Sequence, residues 1–168
     1  MRVVNWKSRE ELINNAIVSI KNELQKKDDM CHVLMLSGGS TPLVIYQRIA
    51  KEPFSVDDNA VITYSDERFV PSNNKESNYF QTKDMLKAIK IKAANVVRVQ
   101  TELGLAESTD VFHNDLFNLS RNCIISLGFL GMGTDGHTAS LFSLEDVDKG
   151  KGKMAITVTK EQPPHRIS

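Results

Sequence analysis

Short apolar runs alternate along the chain with longer segments in which apolar residues recur at helical spacing. Helices are predicted over about residues 9–27, 42–49, 79–89 and 106–119, and strands over residues 32–36, 60–64, 96–99, 123–130 and 154–158. Short runs that are apolar throughout are typical of strands buried in parallel sheets. The alternation predicts an α/β fold, Rossmann-like, with a mostly parallel sheet flanked by helices and right-handed crossovers.

Two helix starts carry their own signals. Ser8, with Glu11 three residues later, has the form of a capping box at the first helix. At the second helix, Thr41 is predicted as the N-cap and Pro42 as the first helical residue, because the proline lacks an amide that would be unpaired there.

The composition of the chain indicates its class of protein. The 168 residues are 40% hydrophobic and 25% charged, which is ordinary for a globular protein, and we expect residues 1–168 to form a single domain. The 21 lysines and arginines balance the 21 aspartates and glutamates, so the formal net charge is zero. No general attraction to nucleic acid or to an acidic membrane surface is therefore expected, and any anion must be held by local geometry.

The cysteines and the N-terminus indicate a location. Cys31 and Cys123 lie in apolar, strand-like runs without Cys-x-x-Cys spacing, which predicts two buried thiols in a reducing compartment rather than a disulfide or a metal site. The first residues lack the long apolar region of a signal peptide, and no run is long enough to span a membrane. We expect a cytoplasmic protein.

The first loop with candidate chemistry, residues 37–41, follows the first predicted strand. Its two glycines let backbone amides approach a ligand, and a helix N-terminus directly behind them favours an anion. Phosphate binding and a tight turn with an N-cap explain this loop equally well. The loop is not a P-loop, because the Gly-Lys-Ser/Thr ending is missing.

The second loop carries Asp66, Glu67 and Arg68 after the strand at 60–64. Arg68 has the geometry to hold a phosphate or carboxylate with two hydrogen bonds, and either acidic residue has the oxygens to accept from sugar hydroxyls. Taken alone, the segment is better explained as a solvated charge cluster or a structural ion pair.

The third loop, residues 131–142, combines glycines with Asp135 and His137 after the strand at 123–130. The imidazole is a candidate general base, oriented by Asp135 or another carboxylate; the alternative is a histidine held by backbone contacts in a glycine turn. Carboxyl ends of parallel strands share one sheet edge, so the three loops are expected to meet in one crevice.

Other candidates gain no such support. His32 and His113 are expected to be structural or surface residues, and no histidines and carboxylates pair at zinc spacing. Ser140 lacks the Gly-x-Ser-x-Gly elbow of serine hydrolases.

Four motifs in order resemble the 6-phosphogluconolactonase family. They occupy residues 37–42, 65–71 with 77–79, 131–142 and 163–168, and the resemblance runs from about residue 8 to the last residue. Glucosamine-6-phosphate deaminase, in the same superfamily, continues differently after the histidine and has tyrosine where Arg68 stands. Both positions favour the lactonase.

The resemblance implies hydrolysis of 6-phospho-D-glucono-1,5-lactone to 6-phospho-D-gluconate in the oxidative pentose phosphate pathway, with no metal and no cofactor. It implies that His137 deprotonates the attacking water and that Asp66 and Asp135 orient the sugar or the imidazole. The residues it assigns to the substrate and its phosphate are Ser37, Gly38, Gly39, Ser40, Thr41, Arg68 and Arg166.

The chain departs from the family pattern at two places. Ser143 replaces the usual proline, and the chain stops at Ser168, where the resemblance implies a further strand and a phosphate-binding lysine. We therefore expect a C-terminally incomplete domain with an exposed edge that favours self-association. A non-catalytic sugar-phosphate-binding remnant and a glucosamine-6-phosphate deaminase remain as alternative functions.

Overall fold

The computed structural model describes residues 3–27 and 29–168. Its helices and strands, in chain order, are α1 (Arg9–Leu24), β1 (His32–Leu36), α2 (Ser40–Lys51), β2 (Ala60–Tyr64), β3 (Glu67–Arg68), α3 (Asn78–Ala88), a 3-10 turn (Ala93–Asn95), α4 (Leu105–Asn122), β4 (Ile124–Gly128), α5 (Leu144–Gly150), β5 (Thr157–Val158) and β6 (Arg166–Ile167).

A three-stranded parallel sheet in the order β2-β1-β4 organises the fold. His32 of β1 is aligned with Ala60 of β2 and with Ile124 of β4, so the three strands begin at one level. The predicted parallel sheet flanked by helices is confirmed. Because the strands run in one direction, the loops that follow them leave from the same edge.

A second sheet consists of three antiparallel strands of two residues each, in the order β3-β6-β5. Its strand β3 follows β2 in the chain, and β5 and β6 come from the last residues of the chain. In this sheet Glu67 is paired with Ile167, and Arg68 with Arg166. This pairing brings the end of the chain beside the second loop.

Apolar side chains form two clusters. The larger lies between the parallel sheet and helices α1, α2 and α3, and its members include the fully buried Ile20, Leu34 and Ile62. The smaller joins α4 to the antiparallel strands through Phe112 and Ile167. None of the helices in these two described ranges is both long and apolar enough to cross a membrane.

The strand predicted as buried over residues 123–130 is an edge strand. Within the part of the chain that the structure describes, strand β4 pairs only with β1, and Ile124 and Ile125 are 46% and 43% exposed. The prediction of burial was wrong because an apolar run shows where a strand lies in the sequence, not how many neighbours it has in the sheet.

The second helix also begins earlier than predicted. Its N-cap is Gly39, with φ +117°, and neither Thr41 nor Pro42 begins the helix. Only glycine takes such a φ readily, and it turns the chain from β1 into α2. The first helix begins as predicted, since Ser8 Oγ accepts from the amide of Glu11 at 3.1 Å, but Glu11 accepts from the amide of Lys7 rather than that of Ser8, so the capping box is only half formed.

Two predicted strands are shorter than expected. Over residues 96–99 only Val96 bridges to the sheet, opposite Ile62 of β2. Of residues 154–158, only Thr157–Val158 form strand β5. The apolar pattern predicted a strand in both segments. In the structure only these residues pair with a neighbouring strand.

The cysteines are joined, which corrects the prediction of two free thiols. Cys31 and Cys123 form a disulfide with Cα atoms 4.6 Å apart, and 92 positions separate them in the sequence. They precede β1 and β4, and the amide of Ile124 donates to the carbonyl of Cys31 at 2.9 Å. Parallel pairing of β1 with β4 thus brings the two cysteines together, which their spacing in the sequence did not indicate.

Candidate active site

A cavity of about 690 Å³ lies where the three loops meet at the carboxyl edge of the parallel sheet. The members of the loops that line it are Ser37, Gly38, Gly39, Ser40, Thr41, Asp66, Arg68, Gly131, Met132, Gly133, His137 and Ala139. The expected convergence is therefore observed. An apolar side of the same cavity comes from the first helix and the segment before it, through Trp6 and Leu12.

The glycine loop is held by helix α2 and by α3. Tyr46 of α2 accepts from the amide of Ser37 at 3.3 Å and donates to its carbonyl at 2.7 Å. Burial raises the pKa of the Tyr46 hydroxyl, so it keeps its proton as a donor. A Cβ added to Gly38 would overlap with the side chain of Asn78. The loop consequently presents the N-terminus of a 12-residue helix to the cavity, where an anion is stabilised.

Asp66 is buried at 5% exposure, and its hydrogen bonds go to neighbouring loops. Its carboxylate accepts from Ser140 Oγ at 2.6 Å, Ser65 Oγ at 3.1 Å and Asn78 Nδ2 at 3.2 Å. Asp66 thus links the second loop to the third, and its described partners do not include the imidazole.

Glu67, expected among the sugar-binding candidates, instead caps helix α3. The 2% exposed carboxylate accepts from the amides of Arg68, Asn78 and Tyr79 and from Ser77 Oγ, all within 3.0 Å. Burial raises the pKa of Glu67, and these hydrogen bonds oppose the rise. Its oxygens are occupied by donors of the protein, which favours the structural interpretation of Glu67 over sugar binding.

Arg68 and Arg166 are directly opposite each other on β3 and β6. Arg68 lines the cavity and donates to the carbonyl of Glu76 at 2.7 Å. Arg166 is partly buried beside a neighbouring cavity and donates to the carbonyl of Pro164 at 3.2 Å. Burial, together with the charge of Arg68, lowers the pKa of Arg166. Two cations held side by side favour an anion near them.

The third loop is a compact turn around the imidazole. His137 Nδ1 lies 2.5 Å from Asp135 Oδ1, and this hydrogen bond lowers the pKa of Asp135. The carbonyl of His137 accepts from the amide of Gly133 at 2.8 Å, and a Cβ on Gly133 would overlap with the ring. The ring of Phe142 packs against the imidazole with centroids 4.6 Å apart. Of the two candidate carboxylates, Asp135 is the one that is hydrogen-bonded to the imidazole among the described contacts.

His32 and His113 have structural contacts, as expected. His32 is 6% exposed with Nδ1 3.4 Å from Glu23 Oε1, and His113 Nδ1 accepts from the amide of Met154. Across residues 3–27 and 29–168, no group of three or more His, Cys, Asp or Glu side chains is arranged to hold a metal ion.

Two polar residues of the site were given no role from the sequence. Ser140 was considered only as a nucleophile, and Asn78 only as part of a motif. The bond between Ser140 and Asp66 spans 74 residues, and the bond between Asn78 and Asp66 spans 12. The sequence indicated that these loops leave the same edge of the sheet. It did not indicate which side chains of the loops would form hydrogen bonds with each other.

The chain is similar in sequence to known proteins. The chain is 33% identical over 127 residues to the 6-phosphogluconolactonase of Thermotoga maritima, covering 75% of this chain and 56% of that protein. It is 36% identical over 113 residues to the one from Haemophilus influenzae, covering 65% of this chain and 49% of that protein. The chain thus spans about half the length of these curated relatives.

Solved structures agree as well. The crystal structure of 6-phosphogluconolactonase from Thermotoga maritima superposes with a TM-score of 0.78 at 25% identity, covering 99% of this chain and 75% of that one. Residues 7–168 match the family model described as glucosamine-6-phosphate isomerases/6-phosphogluconolactonase. This chain belongs to the glucosamine-6-phosphate isomerase/6-phosphogluconolactonase family.

Proposed function

We propose that the chain hydrolyses 6-phospho-D-glucono-1,5-lactone to 6-phospho-D-gluconate. The observation that carries the proposal is the common cavity, which is lined by a glycine loop at a helix N-terminus, by Arg68 and by His137. The names of the relatives point to the same reaction. Residues 1–168 act in this proposal as one domain.

The phosphate of the substrate binds at the first loop. Backbone amides of residues 38–41 stand at the N-terminus of α2, which favours an anion. Arg68 supplies positive charge from the facing loop, and Arg166, opposite it on β6, strengthens the local field. Ser37, Ser40 and Thr41 add hydroxyl groups along the same loop.

His137 acts as the general base. Asp135 occupies Nδ1, so Nε2 is the ring nitrogen left to take a proton from water. The hydroxide attacks the lactone carbonyl carbon, and the oxyanion that forms is stabilised by a backbone amide or a cationic group. The bond from the carbonyl carbon to the ring oxygen then breaks. The ring oxygen takes the proton from the imidazolium, which yields the carboxylic acid and a free hydroxyl group.

We place this reaction in the cytoplasm. That location has a consequence for the pair Cys31 and Cys123, because glutathione and thioredoxin keep cytosolic cysteines reduced. A cytoplasmic location favours reduced thiols at these two positions, whereas the structure joins them in a disulfide. The redox state of the pair in the cell therefore tests the proposed location.

The activity is tested by following hydrolysis of three substrates with the purified chain. The phosphorylated lactone should open faster than its spontaneous rate, whereas unphosphorylated gluconolactone should gain little because it lacks the anion for the glycine loop. Glucosamine 6-phosphate should release no ammonia. If 6-phosphogluconate binds and the lactone opens only at the spontaneous rate, the chain is a sugar-phosphate-binding protein and the proposal fails.

A further inference from the structure

Three buried polar side chains join the loops behind the cavity. Asp66, Asn78 and Ser140 are each at most 5% exposed, and we call them the loop clamp. Ser140 Oγ donates to Asp66 Oδ2 at 2.6 Å, while Asn78 Nδ2 donates to the Asp66 carbonyl at 2.8 Å and to Oδ1 at 3.2 Å. Asn78 also fills the space beside Gly38. The loop clamp therefore contacts all three loops.

We propose that Ser140 is a positioning residue, which sets the place of His137 relative to the glycine loop through the loop clamp. This inference rests on the proposed lactone hydrolysis. Ser140 lies three residues after His137, and the intervening turn is closed by the amide of Leu141 donating to the carbonyl of Thr138 at 3.0 Å. A displacement of Ser140 is thus passed to the imidazole through a short, hydrogen-bonded segment.

The chemistry of Asp66 explains why one hydroxyl has this effect. The carboxylate is buried, and its described hydrogen-bond donors are neutral groups of Ser65, Asn78 and Ser140. Ser140 is the described donor to Oδ2, whereas Ser65 and Asn78 donate to Oδ1, so removing the Ser140 hydroxyl leaves one buried carboxylate oxygen without its hydrogen bond, which is costly. Removing the Ser140 hydroxyl therefore releases the third loop from the second.

The same serine is tied to the end of the chain. The amide of Ser140 donates to Ser168 Oγ at 3.2 Å, so its backbone is also anchored. Deleting the hydroxyl alone should leave this anchor and the fold intact. We therefore expect Ser140→Ala to move the turn that carries His137 without unfolding it.

A matched control is available in strand β4. Ser126 Oγ donates to Glu23 Oε1 at 2.5 Å, which is also a serine–carboxylate bond, but neither residue lines the cavity. Ser126→Ala removes a hydrogen bond of the same kind without touching the loop clamp. Any effect common to both variants reports on stability, and any effect confined to Ser140→Ala reports on positioning.

The experiment measures steady-state hydrolysis of the phosphorylated lactone and NMR relaxation dispersion of the backbone amides in the wild type and both variants. For Ser140→Ala we expect kcat to fall about 10- to 100-fold with KM changed less than about threefold, because misplacing a base by about 1 Å has effects of this size while the phosphate site persists. Exchange broadening should appear in the amides of residues 131–141. Ser126→Ala should resemble the wild type in both readouts.

Unchanged kcat and unbroadened amides in Ser140→Ala would overturn the inference. If the wild type itself does not hydrolyse the lactone, the proposed function fails, and the relaxation measurement still decides whether the loop clamp positions the turn. Should Ser140→Ala not fold, Ser140→Cys keeps nearly the same side-chain volume with a weaker donor, and is required to give a kcat loss and broadening of the same amides.

Discussion

Asp135 and His137 form the contact on which the proposed chemistry depends at the scale of single residues. In the proposed mechanism the carboxylate accepts from Nδ1–H, which leaves Nε2 unprotonated for a water molecule. The hydrogen bond also lowers the pKa of Asp135, so the carboxylate stays charged in mildly acidic solution. In this mechanism Asp135, which is exposed and lies two positions before His137, both orients the imidazole and places a negative charge beside it.

Asp135→Asn tests this contact. The amide removes the charge and can present an N–H to Nδ1, which selects the wrong tautomer, so we expect kcat to fall about 10- to 100-fold with little change in KM. Steady-state hydrolysis of the phosphorylated lactone measures both. Asp148→Asn, which alters an exposed aspartate paired with Lys151 in the region of α5, serves as control. Equal kcat values in the two variants would show that Asp135 does not orient the base.

At the scale of elements, the segment after the 3-10 turn is fastened to helix α3. Arg98 forms two 3.0 Å hydrogen bonds with Glu102, and its guanidinium lies 4.8 Å from the ring centroid of Tyr79. The hydrogen bonds from Arg98 lower the pKa of Glu102 to about 2. A depressed carboxylate pKa contributes stability above the unfolded pKa, near 4.3, and this stability is lost as the pH falls toward 2.

Glu102→Gln should therefore lower the free energy of unfolding by up to about 1 kcal/mol at pH 7, since the pair is half exposed and solvent screens it. The difference from the wild type should shrink between pH 4.5 and pH 2. Urea unfolding at pH 7, 4 and 2.5 gives these differences. Exposed Glu161, changed to Gln, is the control, and a Glu102→Gln difference that is constant over the pH range would contradict the account.

Elements differ in how far the sequence could predict them. Residues 32–36 and 60–64 were predicted as strands with the bounds observed for β1 and β2, and in both the apolar run ends at a serine, Ser37 or Ser65. The exposed edge of β4 and the disulfide could not be predicted, since both depend on strand order. The loops were predicted to meet, whereas the role of Ser140 required the pairing of side chains 74 residues apart.

At the scale of the whole molecule, the disulfide closes a long covalent loop of the chain, which includes strands β1 and β2 of the parallel sheet. It joins the starts of β1 and the edge strand β4 across 92 positions. A link of this span restricts the unfolded chain more than the folded one. Self-association through an exposed edge, which the sequence led us to expect, stays a prediction.

Replacing both cysteines by serine should lower the free energy of unfolding by about 3–5 kcal/mol relative to the oxidised protein. Reductant should destabilise the wild type by a similar amount and leave the double variant unchanged. Urea unfolding with and without reductant measures this, and thiol alkylation at cell lysis reports the state in the cell. Two alkylated cysteines in purified, unreduced protein would contradict the disulfide.

The central claim is that His137 activates water for a lactone held by its phosphate in the cavity of the three loops. The direct test is kcat/KM for hydrolysis of 6-phospho-D-glucono-1,5-lactone by His137→Asn, corrected for spontaneous opening, with His113→Asn as control. We predict a loss of at least about 100-fold for His137→Asn and wild-type values for His113→Asn. Full activity of His137→Asn above the spontaneous rate would contradict the account.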